Sequence, residues 1–405
     1  MSDHNLSARA WATAALVAVP IAPTTGLGWW LPVHLALLGA ASQAIVGGQL
    51  MFSATLGQAR GPTRTTTLTQ LALLNLAAIL IIGGRLWDAP GALAVGAAIF
   101  VAVIGWAMWQ VRTLWRRSIN RRYTTTSTFY LLAGTSLLAG ASIGAALGLG
   151  MFGDASSYLE HRSLHIALNV LGWAGLTVVG TAMTLLPTVL HVRAPQLASV
   201  RWAPWLMFGG LALFAAGATT AWGWAATAGM LCYAAGLSIF GAYMRRMLGV
   251  SRRRRVPTAA LHLMAALVWL AITTVALIAG SASQDHAAVR DFVVVAGAAG
   301  FVFQALLGAW SFLLPSARRA VPEQRRRELV AMEVGGRTQV AAYNLGLVTA
   351  LLGLRAGIGP LGAGIIVTWS AGAWAMAKLW GFPLLASLPL VHRLSERWWA
   401  DPNDG

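Results

Sequence analysis

The amino-acid sequence predicts an all-α fold, a polytopic membrane helix bundle of about 12 transmembrane helices, on three observations. Apolar stretches long enough to cross a bilayer recur along the whole chain, at roughly 10–27, 29–56, 67–84, 90–111, 125–151, 161–188, 202–221, 224–244, 258–280, 290–315, 338–354 and 361–390. Basic residues alternate with them, so that 24 of the 29 Lys and Arg fall on one side, which the positive-inside rule makes cytoplasmic. Residues are 57% hydrophobic and only 10% charged, with mean hydropathy +0.66, which leaves too little polar surface for a water-soluble globule. The chain 1–405 is therefore expected to form a single integral membrane domain with both termini cytoplasmic.

Taken in order, the loops keep to this topology. The cytoplasmic segments hold Arg9; Arg60 and Arg64; Arg112, Arg116, Arg117, Arg121 and Arg122; Arg193 and Arg201; Arg245, Arg246 and Arg252 to Arg255; Arg318, Arg319, Arg325 to Arg327 and Arg337; and Arg393 and Arg397. The opposite loops hold only Arg85, Arg162, Arg290 and Arg355, and Lys378 lies inside the last span. The first span has a signal-like polar start and is read as a retained helix, because losing it would break the charge parity. The longest polar stretches, about 112–124, 245–257 and 316–337, are connectors with room for short surface helices and for no soluble domain. Net charge is +17, but the arginines flank spans instead of forming a basic domain. They point to orientation and anionic lipid contact, with the lipid bilayer as partner and no nucleic acid. The nineteen Trp gather largely near span ends, as in Trp29–Trp30 and Trp398–Trp399, and read as interfacial anchors. Cys232, alone of its kind, excludes an intramolecular disulfide and a Cys-based metal site, and reads as packing.

A repeat underlies the spans. Gly-x7-Gly occurs as Gly39 and Gly47, Gly172 and Gly180, and Gly300 and Gly308, on every fourth span. The last two copies run on to Leu-Leu-Pro, with Pro187 and Pro315 each fifteen residues after the first glycine. Small residues let membrane helices approach closely, and recurrence at about 130 residues suggests three pseudo-repeats of four helices, about 10–122, 125–257 and 258–390.

The candidate chemistry lies in histidines and in polar residues within spans. His34 opens the second span as His-Leu-Ala-Leu and His165 opens the sixth as His-Ile-Ala-Leu, while His161 stands four residues before His165, on the same helical face. These three, with His286, are candidate metal or haem ligands at the outer ends of spans; the bland alternative is a solvated interfacial imidazole. His34 precedes its glycine by five residues and His165 by seven, a rotation of roughly 200° on a helix, so both sets cannot be strictly equivalent. His4 belongs to the polar N-terminal tail, and His191, His262 and His392 fall at cytoplasmic ends. Lys378, near the middle of the last span, reads either as a counter-ion to a propionate, anion or carboxylate, or as a snorkelling side chain beside a break at Pro383. Gln43, Asn75, Asn169, Gln304 and Asn344 read as interhelical hydrogen bonds or as the lining of one polar path. Glu160 is an exposed carboxylate or an imidazole partner, and Met51, Met151 and Met183 are packing residues or soft ligands. Nucleotide-binding, zinc-protease and serine-hydrolase signatures are absent.

The run from His165 through Gly172-Trp173-Ala-Gly175 and Gly180 to Pro187, with His34-Leu-Ala-Leu as a second copy, resembles the haem-ligand helices of the haem-copper oxidase subunit I superfamily, and especially the NnrS family. The resemblance covers the whole chain in topology and the residues just quoted in motif. It implies a protein of a bacterial cytoplasmic (plasma) membrane that binds haem or copper and acts in the response to nitric oxide or metal stress, with His34 and His165 as the favoured ligands. The departures matter. The tenth span has no histidine within it, where oxidases of the superfamily place two haem ligands, and the seventh lacks the histidine pair that helps bind the active-site copper. The ligand set of a binuclear centre is missing, so oxygen or nitric oxide reduction is not expected. Two alternatives come from other classes: a twelve-helix secondary transporter or permease with Lys378, Gln43, Asn169 and Gln304 along a substrate path, and a membrane module serving a separate redox partner protein.

Overall fold

The computed structural model describes residues 2–120, 123–220, 222–250, 255–281, 286–318, 320–356 and 358–400; Arg121, Arg122, Arg252 to Arg254 and Arg319 lie outside the described residues. The described residues are helices and connectors with no strand. The helices are α1 (Ser2–Ile21), α2 (Trp30–Gly57), α3 (Arg64–Leu86), α4 (Pro90–Arg117), α5 (Thr124–Gly148), α6 (Ala155–Val189), α7 (Ala203–Ala218), α8 (Gly223–Val250) and α9 (Thr258–Ser281). After them come α10 (His286–Val295 running on through Ala296–Phe303 to Gln304–Ala317), α11 (Pro322–Glu333), α12 (Gly336–Ala356), α13 (Ile358–Leu385) and α14 (Pro389–Ala400). Ten of them, α1 to α6, α8 to α10 and α13, are long and apolar enough to cross a membrane. This makes the chain a multi-pass membrane protein.

Local chemistry sets the helix limits. Thr63 caps α3 by accepting from Thr66 N at 3.2 Å. Asp154 caps α6, accepting from Ser157 N at 2.8 Å and from Ser156 Oγ at 2.5 Å; these bonds, the Ser156 hydroxyl first, hold its carboxyl below the usual carboxylate range. Pro90 and Pro322 open α4 and α11, where a missing N–H costs nothing. Gln58 ends α2 in the left-handed region, with φ 53°.

The chain divides into two compact units. Unit 1 comprises Met1–Thr181, Gln196–Tyr243 and Ala271–Val294, and unit 2 comprises Ala182–Pro195, Met244–Leu270 and Val295–Gly405. In unit 1, α1 packs on α2, α4 on α3 and α5, and α5 on α6. In unit 2, α12 packs closely along α13, and the surface helix α11 sits against α13 and α14. There Val330 and Ala331 meet Ala386 and Val391 in a small apolar cluster.

Three of the long helices contain a π-helical stretch, in which N–H groups bond five residues back and the turn widens. They are Leu35–Ala41 in α2, Leu168–Gly175 in α6 and Ala296–Phe303 in α10. Each begins four residues before Gly39, Gly172 or Gly300, the first glycine of its Gly-x7-Gly pair. The glycines are contact points with the preceding helix. A Cβ on Gly39 would lie 2.7 Å from the Trp11 ring, on Gly172 2.5 Å from Ser136 Cβ, and on Gly300 2.7 Å from the Trp269 ring. At the second glycines the neighbours are His4 at 2.7 Å from Gly47, Phe129 at 2.7 Å from Gly180 and Leu263 at 2.8 Å from Gly308.

Several expectations are corrected. The first helix begins at Ser2, so His4 is not in a polar tail but is 2% exposed inside α1, with Nδ1 3.2 Å from Gln43 Oε1. One of its two ring nitrogens is met by α2. Pro383 does not break the last span, since α13 continues to Leu385, although the proline forgoes the N–H bond to the carbonyl four residues back. Cys232 is exposed and does not pack inside. Of the tryptophans, Trp173, Trp269 and Trp310 are core residues and not anchors. Trp11 and Trp269 lie within spans, where an asparagine accepts each indole N–H, at 2.7 Å in both.

Candidate functional site

The site in unit 1 starts from glycine. Gly140, Gly144 and Gly148 recur at every fourth position of α5 and strip one face of side chains. The imidazole of His165 on α6 lies in that gap, because a Cβ on Gly144 would stand 2.4 Å from its Cε1 and 2.7 Å from its Nδ1. His165 Nδ1 is 2.8 Å from Gly140 O. A carbonyl only accepts, so Nδ1 carries the proton and the lone pair is on Nε2. Asn169, one turn on, donates to His165 O at 2.6 Å.

His34 is arranged in the same way from α2. Its Nδ1 donates to Trp30 O at 2.8 Å, and the Trp30 ring stacks on it with centroids 4.0 Å apart. Its Nε2 is thereby also left as an acceptor. The two imidazoles face one another across α2 and α6, with centroids 6.3 Å apart and planes within 8° of parallel. The π-helical stretch follows directly after His34 and begins three residues after His165. Such widened turns occur often at functional sites.

His161 takes a different course. It stacks on Phe152 at 3.9 Å, with Nδ1 donating to Ser157 O at 2.8 Å. Glu160 is exposed, as is Met151. The side chain of His286 lies outside the described residues. Among the described residues no group of three or more His, Cys, Asp or Glu is placed to hold a metal ion.

Lys378 belongs to unit 2 and is held by backbone carbonyls. Its Nζ donates to Met332 O at 2.7 Å and to Val334 O at 3.1 Å, with the Trp374 ring centroid at 5.8 Å. It therefore caps the C-terminal end of α11, where carbonyls have no helical partner. Glu333 at that end accepts from Thr258 N at 2.9 Å and Thr258 Oγ1 at 2.7 Å, tying α11 to the first residue of α9. Burial pushes the Glu333 carboxyl above the usual carboxylate range, against the pull of the Thr258 bonds.

The remaining polar residues of the spans do local work. Asn75 accepts from Trp11 Nε1 and Ser7 Oγ and donates to Leu71 O, and Asn344 accepts from Trp269 Nε1 and donates to Val340 O. Gln43 meets His4. Gln304 is 0% exposed with neither amide atom hydrogen-bonded. Sequence reasoning missed the Trp–Asn brace, although a signal was present: His4-x6-Trp11 and His262-x6-Trp269 are the same pattern at the start of α1 and α9. It also missed the glycine face of α5, whose spacing of four is plain in the sequence but whose partner is not.

No protein-family model matches this chain, and no curated protein matches it.

Proposed function

We propose that the chain is a haem- or copper-binding protein of a bacterial cytoplasmic membrane, of NnrS-like type, acting in the response to nitric oxide or to metal stress. In this reading it spans the membrane with twelve helices, α1 to α10, α12 and α13, in three repeats of four, and both termini are cytoplasmic. The recurrence of the π-helical stretch at Gly39, Gly172 and Gly300 supports the repeats. The arginine distribution supports the orientation.

One observation carries the functional reading: the parallel His34 and His165 rings at 6.3 Å, each with Nδ1 tied to a backbone carbonyl. Metal-bound imidazoles are held by a bond from the other ring nitrogen. At metal–nitrogen distances of about 2.0–2.1 Å, two imidazoles sharing one ion have centroids about 6 Å apart, close to the spacing of these two rings. Haem is favoured over a bare ion because a porphyrin would bring most of the metal's ligands with it, so that His34 and His165 would suffice to hold it. Copper bound by imidazole alone is the narrower alternative. Bound haem would supply an iron centre able to take up or give an electron. The chain's part is to fix both tautomers and to hold the rings parallel. The transporter alternative loses its charged residue, because Lys378 Nζ is engaged by the end of α11.

The test is an optical spectrum of the detergent-purified protein, air-oxidised and dithionite-reduced, with metal analysis on the same samples. A Soret band that is lost in both His34→Ala and His165→Ala supports the reading. Absence of haem and copper after expression with both supplied would sink it.

A further inference from the structure

Two parts of the molecule hold the same buried polar constellation, and a third holds its apolar counterpart. In unit 1, His4 lies seven residues before Trp11, the residue against Gly39, and Gln43 lies four residues after that glycine. In unit 2, His262 lies seven residues before Trp269, the residue against Gly300, and Gln304 lies four residues after that glycine. The Trp–Asn bond recurs beside both. At the corresponding positions of α5 and α6 stand Phe129 and Leu176, both fully buried. The same backbone arrangement is therefore built once with Phe and Leu at these two positions, and packing alone does not call for histidine and glutamine.

The polar pairs are not self-sufficient. In unit 2, His262 is 1% exposed and its Nδ1 has no hydrogen-bond partner, and Gln304 is 0% exposed with Nε2 and Oε1 both unpartnered. Tyr343 presents its ring edge to His262 with centroids 6.5 Å apart, while its hydroxyl donates to Ala299 O. In unit 1 the His4–Gln43 contact is made, yet His4 Nε2 has no partner. Buried side-chain amides and imidazoles are almost always satisfied, by protein or by ordered water, and an orphan in a folded protein marks an unseen polar guest.

We infer that His262 and Gln304 in unit 2 form a binding site for water inside the helix bundle, and that His4 in unit 1 belongs to a second site of the same kind. A water at Gln304 has both an amide donor and an amide acceptor available, and one at His262 has the Nδ1 atom, so the guest must both donate and accept. Water meets both demands as one small neutral molecule, without carrying a charge into the apolar bundle. This site is independent of the His34–His165 pair and of whether haem is bound there.

The experiment is water-edited solid-state NMR of the full chain, labelled with nitrogen-15 histidine, in lipid bilayers. The His262 signals are identified by their loss in His262→Phe. The expected result is transfer of water magnetisation to the His262 ring at a rate within about threefold of that at half-exposed His392, slowed at least fivefold in Gln304→Leu. Transfer as slow as at the buried apolar backbone would overturn the inference. A second arm uses the double variant His262→Phe with Gln304→Leu, which installs the Phe129 and Leu176 pair. An unchanged or raised Tm is expected; a clear fall would make the polar pair a packing element and would overturn the inference as well.

Discussion

His165 in unit 1 and Lys378 in unit 2 are both titratable residues set in apolar helices, and they end in opposite states. Lys378 gives its protons to Met332 O and Val334 O and closes the end of α11. His165 gives its one proton to Gly140 O and keeps the lone pair of Nε2, with the His34 ring parallel to it at 6.3 Å. Polar groups in a membrane are costly unless partnered. The difference teaches that the cost alone does not identify a site; what does is hydrogen-bonding capacity left over after the local partners are counted.

The largest expected effect separates the two regions. His34→Ala or His165→Ala should lower haem affinity by more than about 100-fold, since loss of a mere supporting contact to a ligand already costs about 10–100-fold. The retained haem per chain after gel filtration measures it. The same variants should leave thermal unfolding of the haem-free protein nearly unchanged. Lys378→Met should do the reverse, leaving the spectrum intact while destabilising the fold by about 2–4 kcal/mol through two unpaired carbonyls. Denaturation in detergent with and without haem reads it, and a spectral change in Lys378→Met would erase the comparison. Gly144→Ala comes next. Its methyl would overlap the imidazole of His165, so haem affinity should drop about 10–100-fold with the helix itself intact by circular dichroism.

The smallest effect is at the N-cap of α6, which sets where the helix bearing His165 begins. The Asp154 carboxyl is held below its ordinary value, so its capping contribution is complete above the carboxylate range and fades as pH falls through that range toward the lowered value. Asp154→Asn keeps a capping oxygen without titrating. The fall in Tm between pH 6 and pH 3 should therefore be slightly smaller in Asp154→Asn than in the parent protein, and equal slopes would show that the cap does not sense pH.

Much of this was legible in the residues. Apolar length sets the spans, arginine placement predicts their direction, and the Gly-x7-Gly spacing marks the three helices that carry π-helical stretches. These are local properties, fixed by how each segment partitions between water and hydrocarbon and by where a missing side chain admits a neighbour. The difference in register between His34 and His165 was visible as well, but its meaning was not. Two helices that meet side by side present different faces to one another, so a pair that converges need not be equivalent in register.

The sequence by itself determined that this is a helical membrane protein with few polar residues within its spans, because hydropathy and charge act residue by residue. Only the tertiary structure decided what each polar residue is for. It joined His165 to the glycine face of α5 and to His34, set His161 apart on Phe152, buried His4 in α1, and turned Lys378 onto the end of α11. The physical reason is that a hydrogen bond has direction as well as strength, and its direction depends on which helix lies alongside.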